Sequence, residues 1–339
     1  MRRLHFFEVF SVANLILVGV LFHRSMPLVG SLVGHFLKIG ASLGTWALVG
    51  IGVRCLLALV RRDRTYFRVL RDPDWIVETL RLVAAGSLLI IGYGWVKLVV
   101  PVYHPRLFDE ALWELDRILC FGIAPTTFLL DVLHVPAFLL AIDWSYSVIF
   151  FTSAALGYGY FLSSPDRRLR IGFANGNAVL WASGAWLYLL LPSLGPAYRF
   201  PEIWMAESEW LPRTQHLQAL LMRNYQNVLR TAAGQPVTSP VLIMFGIGAF
   251  PSLHVAFQTY MFLWMRRLWT SGEVIFGIFA FAIFLGSMIT GWHYLVDGLA
   301  GFGMAYLAYR ACFPRHAPDS ATDDPRGGPV ETDDRGGAV

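Results

Sequence analysis

Charge is scarce in this sequence. Only 15% of its residues are Asp, Glu, Lys or Arg, and 56% are hydrophobic, whereas an ordinary soluble domain carries about 25% charge. The mean hydropathy is +0.53. That balance excludes a water-soluble enzyme built around one core. Lysine is nearly missing, with Lys38 and Lys97 the only two, so the net charge of +4 comes from arginine. The arginines stand in short stretches between apolar runs and form no continuous patch, which favours membrane topology over nucleic-acid binding. Cysteine is limited to Cys55, Cys120 and Cys312 with no CxxC spacing, so neither a disulfide framework nor a zinc site is supported. Walker loops and dinucleotide fingerprints are missing too. No metal and no cofactor is expected.

What the sequence has is long apolar runs. Several reach the roughly 20 residues that a helix needs to cross a bilayer. The pattern predicts an all-α, polytopic transmembrane helical bundle of about eight spans, at 5–22, 40–60, 78–101, 136–163, 171–192, 251–269, 273–291 and 293–312. The N-terminal "MRRLHFFEVFSVANLILVGVLFHRS" has a basic start but no small-x-small cleavage pattern, and reads as a retained first span. Residues 26–40 suggest a short interfacial helix. Arg2–Arg3, "RRDRTYFR" at 61–68, "DRRLR" at 166–170, Arg266–Arg267, and Arg310 with Arg315 fall on one side of such a bundle. By the positive-inside rule that side is the cytoplasm, and both termini lie there.

The organisation that follows is an N-terminal part with extra spans and a basic loop (1–75), a transmembrane domain (76–312), and a tail (313–339). Segments 102–135 and 193–250 then lie on the extracytoplasmic side. The first has helical periodicity at Leu107, Ala111, Leu112, Leu115 and Leu119 and is expected along the interface. The second contains an amphipathic stretch, Gln215–Arg230. "LFDEALWELDR" gathers Asp109, Glu110, Glu114 and Asp116, which reads as a solvated helix face, with a cation site as the alternative. The tail is rich in Pro, Gly, Asp and Thr and is expected to be disordered.

Chemistry concentrates at two places. "GWHYLVDGLAG" puts His293 and Asp297 four residues apart, on one face of a helix. Asp297 can then accept from one imidazole nitrogen and leave the other free as a nucleophile. The plain alternative is a buried polar pair, although ionisable groups in membrane spans are costly and usually functional. "GAFPSLHVAFQ" places Pro251 and Ser252 at a helix start, where free amides and the hydroxyl form an anion site beside His254. An ordinary capped helix fits as well. With alternating spans both places share one membrane face, so His293 can attack a phosphate held at the first while His254 moves the proton.

"FPSLHVA" followed by "HYLVD" resembles the second and third motifs of the type 2 phosphatidic acid phosphatase (PAP2) superfamily, over roughly residues 80–312. It is most similar to the inositolphosphotransferase branch, the inositol phosphorylceramide synthase type, where Leu253 stands in place of the more usual Gly. The resemblance implies a six-helix core, a metal-independent reaction through a phosphohistidine, and a site on the non-cytoplasmic side. It implies His293 as nucleophile, Asp297 as its orienting partner and His254 as general acid and base. The third motif often has Ser-Arg before the histidine, but here Ser287 has no arginine near it. "LLLPSLGPAYRFP" at 189–201 looks like that branch's proline-rich first motif. Arg199, with Tyr198 beside it, is the candidate phosphate clamp, or else an interfacial anchor. Lys97 either assists the phosphate or snorkels to the interface.

The expected function is an integral membrane lipid phosphotransferase. It moves a phospho-head group, phosphoinositol being one candidate, from a phospholipid donor to a lipid alcohol acceptor, with membrane lipids as its partners. A lipid phosphate or polyprenyl diphosphate phosphatase uses the same site with water as acceptor. A non-catalytic transporter or scaffold is the reading from another class, although no internal repeat supports it. Arginine-rich, lysine-poor usage suggests a bacterial plasma membrane.

Overall fold

The computed structural model of the chain describes residues 4–237, 239–269 and 271–313. Among them are fifteen α-helices and no strand. They are α1 (Phe6–Leu21), α2 (Met26–Val29), α3 (Leu32–Val60), α4 (Thr65–Val69), α5 (Pro73–Tyr103), α6 (Asp109–Leu119), α7 (Pro125–Val132) and α8 (Pro136–Leu162). Then come α9 (Arg167–Leu190), α10 (Pro196–Arg199), α11 (Glu202–Met205), α12 (Pro212–Ala232), α13 (Leu253–Leu268), α14 (Gly272–Ile289) and α15 (Leu295–Cys312).

Local sequence explains the starts. Asp72 accepts the Asp74 amide at 2.9 Å ahead of Pro73, and Asp166 accepts the amides of Arg168 and Leu169, as N-caps do. Each of the eight expected spans is a helix. Four of them, α3, α5, α8 and α14, are long and apolar enough to cross a membrane, and α1 joins them if the bent pair Phe6–Leu21 and His23–Val29 (83°) is one span. About eight spans were expected, and four to five of the eight helices meet this test of length and composition. α13 has only 16 residues, about 24 Å, and ends on Arg266 and Arg267. The expected interfacial helix at 26–40 is instead the short α2 with an early start to α3. Segment 102–135 is two helices, α6 and α7. The predicted tail lies outside the described residues, as do Arg2, Arg3 and Arg315.

α13 packs on α14 and α15, α15 on α9, and α9 on α5; α8 joins α14 to α3. These six helices, α5, α8, α9, α13, α14 and α15, form the core, with aromatic centres such as Phe161, Phe173, Tyr260 and Trp264. α1 and α3 pack directly on α5. Apolar side chains remain exposed along α3 (Leu37, Leu48, Val53) and α14 (Val274, Ile278, Phe281). So much bare apolar surface suits a helix against lipid, and the apolar helices suit a multi-pass membrane protein.

The two ends of the bundle differ. At one, Glu78 pairs with Arg167, Arg170 and His5, Arg81 pairs with Glu8, and Tyr66 and Trp75 donate to the carbonyls of Ser163 and Ser164. Lys97 lies nineteen residues beyond Glu78 on α5, about 28 Å away along the axis. The histidines are at that other end.

Candidate active site

Three breaks between helices meet there: the residues after α9, before α13 and before α15. Backbone and hydroxyl bonds zip them together. The amides of Ala249 and Phe250 donate to the Ser193 carbonyl and hydroxyl at 3.0 and 2.9 Å, the Ala197 amide to the Gly291 carbonyl at 3.0 Å, and the Ser252 amide to the Asp297 carbonyl at 3.0 Å. Gly301 makes the last contact possible, since a Cβ there would stand 2.6 Å from the Ser252 carbonyl oxygen. α15 therefore approaches the start of α13 without a side chain between them. His254 and His293 end up side by side, with ring centroids 5.9 Å apart.

His293 is held in one orientation. Its Nδ1 lies 2.9 Å from the Ala249 carbonyl oxygen and 3.3 Å from Asp297 Oδ2. Both partners can only accept, so Nδ1 carries the proton and Nε2 keeps a lone pair. The shorter bond goes to Ala249, a partner no side-chain pattern could reveal. Asp297 also caps α15, where its Oδ2 accepts the Tyr294 amide at 2.9 Å. The catalytic and capping readings of this carboxylate are both compatible with its position.

The two imidazoles line a cavity of about 80 Å³ together with Lys97, Tyr146 and Trp292. Leu194, Leu217, Leu221 and Ile247 supply apolar walls. Lys97 turns inward rather than along its helix to the interface. Its ammonium sits 5.1 Å from the Tyr188 ring and 5.8 Å from that of Tyr93, a cation–π setting. It forms no ion pair among the described residues, so its charge remains available to an anion. Leu217 and Leu221 come from α12, which roofs the cavity. That helix has no side-chain cap of its own. Asp143 of α8 supplies one, accepting the amides of Arg213 and Thr214 at 2.9 and 2.8 Å.

The other predicted phosphate ligands have different contacts, and none lines the cavity. Ser252 is fully buried and caps α13 by accepting the Val255 amide at 3.3 Å, while Pro251 precedes the cap rather than opening the helix. Tyr198 donates to the Gln218 carbonyl at 3.1 Å. Arg199 pairs with Glu110 in an exposed position. Leu253 is buried against Gly184.

The acidic stretch departs furthest from expectation. Glu110 and Glu114 face solvent, but Asp109 and Asp116 are buried and serve the site. Asp109 accepts from the amides of Leu194 and Gly195 and the Tyr294 hydroxyl, at 2.8 to 3.0 Å. Asp116 accepts the amides of Leu295 and Val296, at 2.7 and 2.9 Å, and so caps α15 just after His293. Burial raises both carboxyls above the usual range, Asp116 to about 6, against the pull of the amides they accept. Asp109 and Asp116 are seven residues apart, two helical turns, and share a face from which Glu110 and Glu114 are turned away, but that spacing alone does not mark the face as buried. Among the described residues no group of three or more His, Cys, Asp or Glu could hold a metal ion.

Comparison with known proteins gives one match. A family model described as PAP2 superfamily covers residues 110–311, which include α7 to α14, most of α6 and α15, and both histidines. No curated protein and no solved structure matches the chain.

Proposed function

The chain belongs to the PAP2 superfamily, and from that premise, which supports a lipid-phosphate phosphatase or phosphotransferase activity in general, we propose that it is a lipid phosphotransferase. A phospholipid donor places its phosphoryl group in the cavity, where the Lys97 ammonium offsets the negative charge. His293 Nε2 attacks phosphorus, a P–N bond forms, and the P–O bond to the lipid alcohol breaks. His254 gives its proton to the departing oxygen. A second lipid alcohol then loses its proton to His254 and attacks phosphorus, breaking the P–N bond and carrying the head group away. No metal is required at any step. Asp297 and the Ala249 carbonyl hold His293 in the reactive tautomer. Ser252 and Tyr198 act from outside the cavity, by capping α13 and by bonding the Gln218 carbonyl, and Arg199 reaches an anion only if its pair with Glu110 opens.

The observation that carries this reading is the pair of adjacent imidazoles, one locked by its Nδ1–H, on a cavity that also holds an unpaired ammonium. The apolar roof favours an alcohol over water as acceptor, because it limits water at the phosphoenzyme. Leu253 and the missing arginine before His293 favour phosphoinositol as the head group. The arginines at the far end of the bundle favour an extracytoplasmic site with both termini in the cytoplasm, and the arginine-rich usage favours a bacterial plasma membrane.

The test is to purify His293→Ala and His254→Ala and assay head-group transfer from mixed phospholipids to a lipid alcohol. Loss of at least a hundredfold is expected in each, the usual scale for removing an acid–base group. Wild-type turnover in either ends this mechanism. Release of the water-soluble phospho-head group, or of inorganic phosphate from a lipid monoester, with no new lipid product when an acceptor is supplied, would establish the phosphatase reading instead.

A further inference from the structure

One polar group on this cavity has no role yet. Tyr146, on α8, is 6% exposed, and its hydroxyl has no hydrogen-bond partner among the described residues. A buried hydroxyl left unpaired costs about 1–3 kcal/mol, so such groups are rare unless something outside the fold completes them. The ring is fixed from two sides. On one it packs closely on Gly286 of α14, where a Cβ would lie 3.0 Å from Tyr146 Cδ2 and would push the ring by a few tenths of an ångström. On the other its centroid is 5.7 Å from the imidazole of His254. Tyr146 is therefore rigid, lines the same cavity as Lys97, His254 and His293, and has a donor to spare.

We infer that the Tyr146 hydroxyl donates a hydrogen bond to a phosphoryl oxygen of the bound substrate, making it an anion-binding residue of this site. The inference rests on the proposed phosphotransfer reading. Lys97 supplies charge but little direction, since an ammonium is a compact point charge on a flexible stem. A phenol on a fixed ring supplies direction. Together they offer a phosphoryl group one long-range and one oriented contact, leaving phosphorus open to His293. Neither residue is in the two histidine motifs. The hydroxyl's position depends on α8 and α14 meeting at Gly286, which the linear sequence does not announce.

The experiment titrates orthovanadate, a phosphate mimic, calorimetrically into wild type, Tyr146→Phe and His293→Ala, with melting curves for all three. Tyr146→Phe should bind vanadate about tenfold to a hundredfold more weakly, the usual effect of losing one hydrogen bond to a charged group. It should melt at the wild-type temperature or above, because a hydroxyl without an internal partner is removed. Equal vanadate affinity in wild type and Tyr146→Phe overturns the inference, and so does a drop in melting temperature of several degrees, which would reveal a partner inside the protein. If His293→Ala keeps full vanadate affinity while Tyr146→Phe loses it, the anion contact stands and the nucleophile assignment falls. If vanadate binds to none of the three, both fall.

Discussion

The roof over the cavity hangs on one carboxylate from another helix. Asp143 is 2% exposed, and its two oxygens accept the Arg213 and Thr214 amides at the start of α12. Asp143→Ala leaves both amides without their acceptor, and Thr214 is buried. A lost N-cap costs about 0.5–2 kcal/mol, and a hydrogen bond to a charged group contributes about 1.5–3 kcal/mol. The two estimates overlap, and about 3 kcal/mol for the pair is a fair centre. If that energy is lost from local opening of α12, its first turns open roughly a hundredfold more often, at about 1.4 kcal/mol per factor of ten. Hydrogen exchange followed by mass spectrometry reads this directly, in peptides covering 212–221. Exchange there should accelerate by about that factor in Asp143→Ala, and by less in Asp143→Asn, which keeps one acceptor. Peptides from α9 should not change. Wild-type exchange across 212–221 in Asp143→Ala would refute the claim that this side chain holds the roof.

Lys97→Met keeps most of the side-chain volume and removes the charge. Its kcat/KM should fall about a hundredfold or more, the scale for losing one electrostatic contact to a reacting group, with little change in melting temperature; a loss under threefold would show that Lys97 does not meet the phosphate. Arg199→Ala breaks an exposed pair with Glu110 and should leave the melting temperature essentially unchanged, with turnover within about twofold. A much larger loss of turnover would show that the pair opens and Arg199 clamps the substrate. Burial lifts Asp116 to about 6 from 3.8, so the folded chain holds this proton more tightly than the unfolded one. The stability it contributes is full below about pH 4 and is lost as pH rises through about 6. Asp116→Asn should flatten that stretch of the stability–pH curve, and an unchanged slope measured by denaturation would contradict the assignment.

The elements were legible where one residue type or period decides the outcome. Apolar runs announced eight of the long helices, and the amphipathic period of 215–230 announced α12. Ser252 was legible at the start of α13, whereas the caps Asp72 and Asp166 lie several residues ahead of the starts expected at 78 and 171. His254, His293 and Asp297 were legible because the H-x-x-x-D spacing and the helix-start histidine each require only a few consecutive residues. What stayed hidden depends on contacts between distant segments. Asp109 and Asp116 are charged residues in a polar helix, and only the arrival of 194–195 and 294–296 makes them buried caps. Asp143 needs α12, and Tyr146 needs Gly286. Arg199 had the right chemistry for phosphate, but four residues after Gly195 the chain had already turned it toward Glu110. Four of the eight helices do not meet the test of length and composition: α1 and α13 have 16 residues each, and Arg266 and Arg267 occupy the last turn of α13, inside the span expected at 251–269.

The central claim is that His293 forms a covalent bond to phosphorus. Incubating the purified protein with a ³²P-labelled membrane lipid extract, quenching in alkali, where phosphohistidine survives, and mapping the labelled peptide tests it directly. The account predicts label on His293 in the wild type, slower labelling of the same residue in His254→Ala, and none in His293→Ala. Label on another residue, or lipid turnover by His293→Ala at the wild-type rate, would contradict it.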